Sequence, residues 1–149
     1  MLTIVRTDSG HTDFRNLVLL LDRELQERDG EDHAFFAQFN TIEAIKQVVV
    51  AYSDGVPVGC GAIKAYAAEV VEVKRMFVLP QYRRHGIAAR VLQELESWAH
   101  ELSFTGLVLE TGYAQPEAIG LYKKSGYRMI PNYGQYAGVE KSVCFQKTI

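Results

Sequence analysis

The chain has 149 residues, 48% of them hydrophobic and 23% charged, with a formal net charge of -2. This length suits one domain over residues 1–149 with a core of ordinary size, and the slight acidity gives no reason to expect nucleic acid as a partner. The apolar run at residues 17–21 is too short for a signal peptide or a membrane span, so we expect a cytoplasmic protein with no membrane partner.

Hydrophobic periodicity and turn residues predict an alternation of strands and helices. The predicted elements, in chain order, are strand Leu2–Arg6, a helix from Phe14 to near Gly30, strands Gln47–Tyr52, Val56–Ala65 and Val70–Leu79, a helix from Ile87 to Leu102, strand Leu107–Thr111, helix Pro116–Ser125, and strands Tyr127–Ile130 and Ser142–Lys147. Residues 31–40 show no clear period and form either a short helix or a loop. The strand-helix-strand crossovers require parallel pairing, which predicts a mixed α/β sandwich.

Two cysteines and one hairpin turn add local detail. Cys60 and Cys144 lack the spacing of zinc or redox sites, so we expect reduced, buried thiols and no metal. Asp54 and Gly55 separate the second and third strands and readily supply positive φ, which favours a hairpin there.

The turn between residues 80 and 88 has the features of an anion site. A strand that runs directly into a helix leaves unpaired backbone N–H groups at the positive end of the helix dipole. Arg83 and Arg84 add positive charge at this point, which costs about 0.3–1 kcal/mol each unless an anion neutralises it. The turn matches neither a Walker motif nor GxGxxG. It is therefore a site for another phosphate compound or simply a solvated basic turn.

Two sequence blocks resemble the general-control-related N-acetyltransferases, the GNAT family, in a small single-domain bacterial form. Val78-x-Pro80-x-x-Arg83-Arg84-x-Gly86-Ile87-Ala88 is similar to the family signature R/Q-x-x-G-x-G/A, and residues 115–127, QPEAIGLYKKSGY, are similar to N-x-x-A-x-x-L-Y-x-K-x-G-F. Ala88, Gln115 and Tyr127 replace the more usual glycine, asparagine and phenylalanine. The resemblance implies a GNAT-like α/β fold, a mixed central sheet flanked by helices on both faces, and acetyl transfer from acetyl-CoA to a primary amine.

The resemblance also implies a set of cofactor contacts. The strand before the signature would pair with the pantetheine arm, and the signature would bind the pyrophosphate. The implied acetyl-CoA contacts are Met76, Phe77, Val78, Arg83, Arg84, His85, Gly86, Ile87, Ala88, Ala89 and Gln115. A backbone N–H near Val78 would meet the oxyanion.

Acetyl transfer needs an acid for the departing thiolate and a base for the amine. The family resemblance makes Tyr122 the acid, whereas its position on a helical stripe with Ala118 and Leu121 also fits ordinary core packing. Glu72 and Glu110 on central strands are equal candidates for the base, because a carboxylate buried there needs a partner or a wet cleft. Alternatively, Glu72 pairs with Lys74 or Arg75, and Glu110 caps a neighbouring backbone group.

The acceptor amine is expected near aromatic residues late and early in the chain. Tyr133 and Tyr136 lie in a glycine-containing loop that forms either an aromatic wall or a surface loop with incidental packing. His33 and Phe36 are candidates for the same cleft. The resemblance makes a homodimer plausible, with the C-terminal strand at an open sheet edge.

Two other functions are compatible with these residues. A domain of the same fold could bind acyl-CoA as a sensor without turnover, although Tyr122 and the two carboxylates favour an enzyme. A domain for another phosphate ligand is disfavoured by the second block.

Overall fold

The structure is a computed structural model that describes residues 1–32 and 44–149. Seven strands of the described residues form one sheet in the order β1-β2-β3-β4-β5-β7-β6. They are β1 (Leu2–Thr7), β2 (Gln47–Ser53), β3 (Val56–Ala67), β4 (Val70–Val78), β5 (Gly106–Gly112), β6 (Arg128–Ile130) and β7 (Ser142–Thr148). Neighbouring strands pair antiparallel except β4 and β5, which are parallel. The predicted mixed sheet is confirmed.

Helices cover both faces of the sheet. The α-helices of the described ranges are α1 (Thr12–Asp29), α2 (Ile87–Glu101) and α3 (Pro116–Lys124). Successive strand residues point to opposite faces. Accordingly, Val48 and Val50 pack in one apolar cluster with α1, whereas Val49 and Ala51 pack in another with α2. The predicted flanking of the sheet on both faces is confirmed. None of the described helices combines the length and apolarity that crossing a membrane requires.

The two parallel strands diverge soon after they begin. Val70–Glu72 of β4 pair with Gly106–Val108 of β5, but β4 continues to Val78 and β5 to Gly112 without further mutual pairing in the described chain. The other edges of the two strands pair with β3 and β7. The sheet therefore opens into a gap at its centre, and backbone groups on either side of the gap are available to a ligand.

A β-bulge lies on the β4 side of this gap. Arg75 and Met76 of β4 lie opposite the single residue Gly61 of β3, and Arg75 has a φ of 60°. Positive φ is uncommon for a non-glycine residue and is accommodated by a bulge. Gly61 suits the position because a Cβ there would lie 2.5 Å from the Met76 sulfur. The Arg75 side chain is directed to the α1 side of the sheet, where its Nη1 donates to Asp22 at 2.9 Å.

Some expectations need correction or lie outside the described residues. β7 lies between β5 and β6, so the expectation that the C-terminal strand forms an open edge is wrong. The proposed homodimer loses that support and stays a prediction. Gly30–Asp32 form one 3-10 turn, and the remainder of the segment 31–40 is not described. Cys60 and Cys144 are free and buried, as predicted.

Candidate active site

A cleft of about 1260 Å³ opens where β4 and β5 diverge. It extends from the turn before α2, along the end of β4, to α3 and the end of β5. The predicted site residues that line it are Glu72, Met76, Phe77, Val78, Arg83, Arg84, Gly86, Ile87, Ala88, Ala89, Glu110, Gln115, Tyr122 and Tyr136. His85 and Tyr133 are not among its lining residues, and His33 and Phe36 lie outside the described residues.

The turn between β4 and α2 has the geometry of an anion cradle. Pro80–Tyr82 form a 3-10 turn, and Arg84 and Gly86 then adopt φ values of 68° and 77° before α2 begins. The first N–H groups of a helix have no intrahelical acceptor and carry the positive end of its dipole. A Cβ at Gly86 would meet nothing within 4 Å, so the space beside these N–H groups is open. A phosphate group fits this arrangement.

The two arginines of the turn differ in their surroundings. Arg83 donates from Nε to the Val78 carbonyl at 2.9 Å and from Nη2 to Glu24 of α1 at 2.8 Å. Its charge is therefore neutralised within the protein by Glu24, without a bound anion. Arg84 is exposed and forms no ion pair within the described part of the chain. Of the two arginines, Arg84 is therefore the one whose positive charge a bound anion would neutralise.

The end of β4 presents its backbone to the gap. The Leu79 N–H donates to the Val58 carbonyl of β3 at 2.8 Å. Peptide groups of a strand alternate in direction, so the Val78 N–H and carbonyl face the opposite side, toward β5. Because the carbonyl accepts from Arg83, the N–H is the backbone donor that this residue offers to a ligand.

Tyr122 of α3 lies on the other side of the cleft. Its ring is 6% exposed and belongs to the apolar cluster under α2, beside Tyr127 and Phe145. Its hydroxyl makes no hydrogen bond with a described residue, whereas the Tyr127 hydroxyl donates to Glu96 at 2.9 Å. Burial, with a smaller effect of the Glu110 charge, raises the pKa of Tyr122. The side chain is both packed and a protonated donor at the cleft.

Glu110 of β5 is the carboxylate with the most perturbed titration. Burial, augmented by the charges of Glu72 and Asp29, raises its pKa to about 7, although a hydrogen bond from Ser142 opposes that rise. The Ser142 hydroxyl donates to Oε2 at 2.7 Å, so the alternative that Glu110 caps a backbone group is wrong. No cation among the described residues forms an ion pair with it. A carboxylate of this kind can accept a proton near neutral pH.

Glu72 is held by an aromatic group and a lysine. Its Oε2 accepts from the Tyr133 hydroxyl at 2.6 Å, and its Oε1 lies 3.9 Å from Lys74 Nζ. The ring of Tyr133 makes edge contacts with Tyr66 at 5.1 Å and Tyr136 at 5.7 Å between centroids. Tyr133 is therefore more than incidental surface packing, since Tyr66, Tyr133 and Tyr136 form an aromatic wall beside a carboxylate. Tyr133 does not line the cleft, and a role of this wall in binding the acceptor stays a prediction. Lys74, one of the two partners foreseen for Glu72, lies at ion-pair distance.

Gln115 lies immediately before α3 at the mouth of the cleft. Its Oε1 accepts from Arg28 of α1 at 3.3 Å, and the same arginine binds Glu117 at 2.6 Å. The Gln115 Nε2 is buried without a hydrogen-bond partner among the described residues. A buried donor without a partner is rare and costs free energy, so this amide is suited to a ligand carbonyl.

Sequence reasoning assigned no role in the site to Arg28 and Arg75, which line the cleft, or to Tyr66 and Asp22, which lie outside its lining. Tyr66 extends the aromatic wall from β3, and Arg28 links α1 to α3. Arg75 and Asp22 connect β4 to α1. Arg75 was considered only as a partner of Glu72, and its pairing with Asp22 corrects that alternative. The Gly61 position opposite it was the one available hint of a bulge.

Comparisons with known proteins agree with this geometry. Residues 14–127 match the model of the acetyltransferase (GNAT) family. An "IAA acetyltransferase" of Azospirillum brasilense is 39% identical over 103 residues, 68% of this chain and 67% of that protein. A Klebsiella pneumoniae structure described as an acyl-CoA N-acyltransferase has 27% identity and a TM-score of 0.82, covering 99% of this chain and 97% of its own. A GNAT family acetyltransferase from Elizabethkingia anophelis, solved with acetyl-CoA bound, has 18% identity and a TM-score of 0.71, covering 99% and 98%.

Proposed function

The chain belongs to the acetyltransferase (GNAT) family, and we propose that it forms a single domain that moves the acetyl group of acetyl-CoA to a primary amine. The amine attacks directly while both substrates are bound. The observation that carries this proposal is the position of Tyr122 and Glu110, which line one cleft where the central strands diverge. Acetyl-CoA supplies the activated acetyl group, and the protein supplies binding, proton transfer and charge stabilisation.

The cleft residues fit acetyl-CoA along its length. The N–H groups at the start of α2, the open space at Gly86 and the charge of Arg84, which no described residue pairs, suit the pyrophosphate. The Val78 N–H is directed to the gap, where it can stabilise negative charge on a carbonyl oxygen. The Gln115 amide offers a further donor near α3. We propose these contacts as the cofactor site, with His85 contributing only its backbone.

Tyr122 is proposed as the general acid. Burial raises the pKa of its phenol, so the hydroxyl stays protonated at neutral pH. No described residue accepts a hydrogen bond from it, which leaves the proton available to a departing thiolate. The packing of the ring on Phe145 and Tyr127 fixes its position.

Glu110 is proposed as the base, ahead of Glu72. Both oxygens of Glu72 face partners, Tyr133 and Lys74, whereas Glu110 receives a hydrogen bond from the described residues only at Oε2. The pKa of Glu110, about 7, also lies only about three pKa units below that of an ammonium group at ~10.4. The pKa of an ordinary glutamate lies about six units below it. Glu110 is therefore better suited to accept the amine proton, directly or through water.

The test is release of coenzyme A thiol from acetyl-CoA across a panel of amines. Tyr122→Phe is compared with Tyr127→Phe, a neighbouring buried tyrosine whose hydroxyl binds Glu96 instead of facing the cleft. Tyr122→Phe is expected to lower kcat at least tenfold with the KM for acetyl-CoA within about threefold. Tyr127→Phe is expected to keep kcat.

The carboxylates are separated by their pH profiles. Glu110→Gln is expected to remove the rise of kcat/KM near pH 7, and Glu72→Gln is expected to keep it. The opposite pattern would transfer the role of base to Glu72. Tight binding of acetyl-CoA with no turnover of any amine would indicate that the protein is an acyl-CoA sensor of the same fold and not a transferase.

A further inference from the structure

Arg75, on the α1 side of the cleft, has a hydrogen-bond partner among the described residues on one terminal nitrogen of its guanidinium but not on the other. Arg75 lines the cleft, its side chain is 4% exposed, and its Nη1 donates to Asp22 at 2.9 Å. Its Nη2 is buried and has no hydrogen-bond partner among the described residues. Buried guanidinium groups are normally paired on more than one nitrogen, because an unpaired N–H forfeits hydrogen bonds that water would supply.

Arg75 and Glu110 lie on opposite sides of the gap. The last parallel pair of β4 and β5 is Glu72 with Val108, so Arg75 is three residues beyond that pair on one strand and Glu110 is two residues beyond it on the other. Both face α1, since Arg75 pairs with Asp22 of that helix and Glu110 alternates with Leu109, which packs in the cluster under α2 on the opposite face. A ligand in the gap on this side therefore meets a cation on one strand and a carboxylate on the other.

Neither group is fully satisfied within the described chain, because Arg75 pairs with Asp22 through Nη1 alone and Lys74 acts on Glu110 without forming an ion pair with it. Glu110 has no ion pair within the described chain, and Arg75 has a buried nitrogen without an acceptor. A neutral or purely cationic amine would satisfy Glu110 alone and leave Arg75 as it is. A ligand that carries both an amine and a carboxylate satisfies both groups, and a carboxylate is the acceptor that matches a guanidinium best.

We propose that the acetyl acceptor is an amino acid or a related amino carboxylate, whose carboxylate is bound by Arg75 while its amine lies at Glu110. This inference rests on the proposed function and names the substrate class of the same cleft. Arg75 is a specificity-determining residue in this scheme, and Asp22 fixes the other side of its guanidinium.

The experiment compares L-amino acids with their carboxamides, which keep the amine and lose the negative charge. The wild-type protein is expected to prefer the free acids at least tenfold in kcat/KM, and Arg75→Met is expected to bring that ratio within about twofold of one. Arg75→Lys retains a charge without the fork and is expected to give an intermediate ratio. Arg6→Met is the matched control, since Arg6 pairs with Glu94 and Glu101 away from the cleft, and it is expected to preserve the preference.

Three outcomes would overturn the inference. The first is equal or better use of carboxamides by the wild-type protein, a result that needs no variant. The second is an unchanged preference in Arg75→Met. If no amine is acetylated, the proposed transferase has failed, and calorimetric titration of amino acids into the protein with coenzyme A tests the carboxylate site separately. The third outcome is that this titration shows no binding. Binding that is lost in Arg75→Met would instead support the carboxylate site without turnover.

Discussion

Replacing Glu110 by glutamine should stabilise the protein above neutral pH while lowering its activity. Burial, together with the charges of Glu72 and Asp29, raises the pKa of Glu110 from 4.5 to about 7. A raised pKa means that the folded protein resists an ionisation that the unfolded chain allows. The ionised carboxylate therefore lowers the free energy of unfolding.

The size and pH range of this effect follow from the two pKa values of Glu110. Below pH 4.5 the carboxyl is protonated in both states and has no effect. From pH 4.5 to 7 the unfolded chain ionises first, so the folded protein loses stability as the pH rises, and above pH 7 the loss is complete. A difference of 2.5 between the values of 7 and 4.5, at about 1.4 kcal/mol per pKa unit, gives at most about 3 kcal/mol.

Urea unfolding at pH 5 and pH 8 measures this difference. Glu110→Gln is expected to gain stability over wild type by about 1–3 kcal/mol at pH 8 and by much less at pH 5. Glu117→Gln is a control of opposite sign, because the Arg28 hydrogen bond lowers the pKa of Glu117 and its ionised form stabilises the fold. An equal effect of Glu110→Gln at both pH values would refute the link between its burial and its titration.

Four further substitutions, one of them a control, test the cofactor turn, the bulge and the aromatic wall. Arg84→Ala should raise the KM for acetyl-CoA about tenfold, more at low salt than at high salt, whereas His85→Ala should change it less than about twofold because His85 does not line the cleft. Gly61→Ala should lower the free energy of unfolding by about 1–3 kcal/mol in urea, since the added Cβ would lie 2.5 Å from a methionine sulfur. Asn132→Ala removes two hydrogen bonds that fix the loop carrying Tyr133, so it should raise the KM for the acceptor and spare that for acetyl-CoA in steady-state assays.

The sequence predicted those features that depend on neighbouring residues. The amphipathic stripe of α2, the Asp54-Gly55 turn and the proline at the start of α3 are local signals, and each element begins and ends close to the predicted residue. Asp54 and Gly55 both have the positive φ that such a hairpin requires. Local periodicity is reliable here because each of these elements has one apolar face or one defined turn.

Features that depend on distant residues could not be predicted in this way. Arg83 and Glu24 are separated by 59 positions, and nothing in the local pattern of either residue indicates their ion pair. The position of β7 inside the sheet has the same origin, because strand order is decided by the packing of the whole sheet. The bulge at Arg75 has only one local hint, since register is a property of two strands together.

Some polar groups of the cleft already have a partner within the protein and others do not, and this difference indicates which of them contribute most to ligand affinity. A ligand that binds Arg83 must compete with Glu24 and the Val78 carbonyl, so much of the new interaction would be offset by the pairs that are broken. Arg84, Gln115 Nε2 and Arg75 Nη2 have no such competing partner among the described residues. Substitution of these three groups should therefore weaken binding more than substitution of Arg83, although Arg83 holds the most prominent position in the family signature. Arg83 chiefly fixes α1 against the turn through its pair with Glu24, so its loss should lower stability more than ligand affinity.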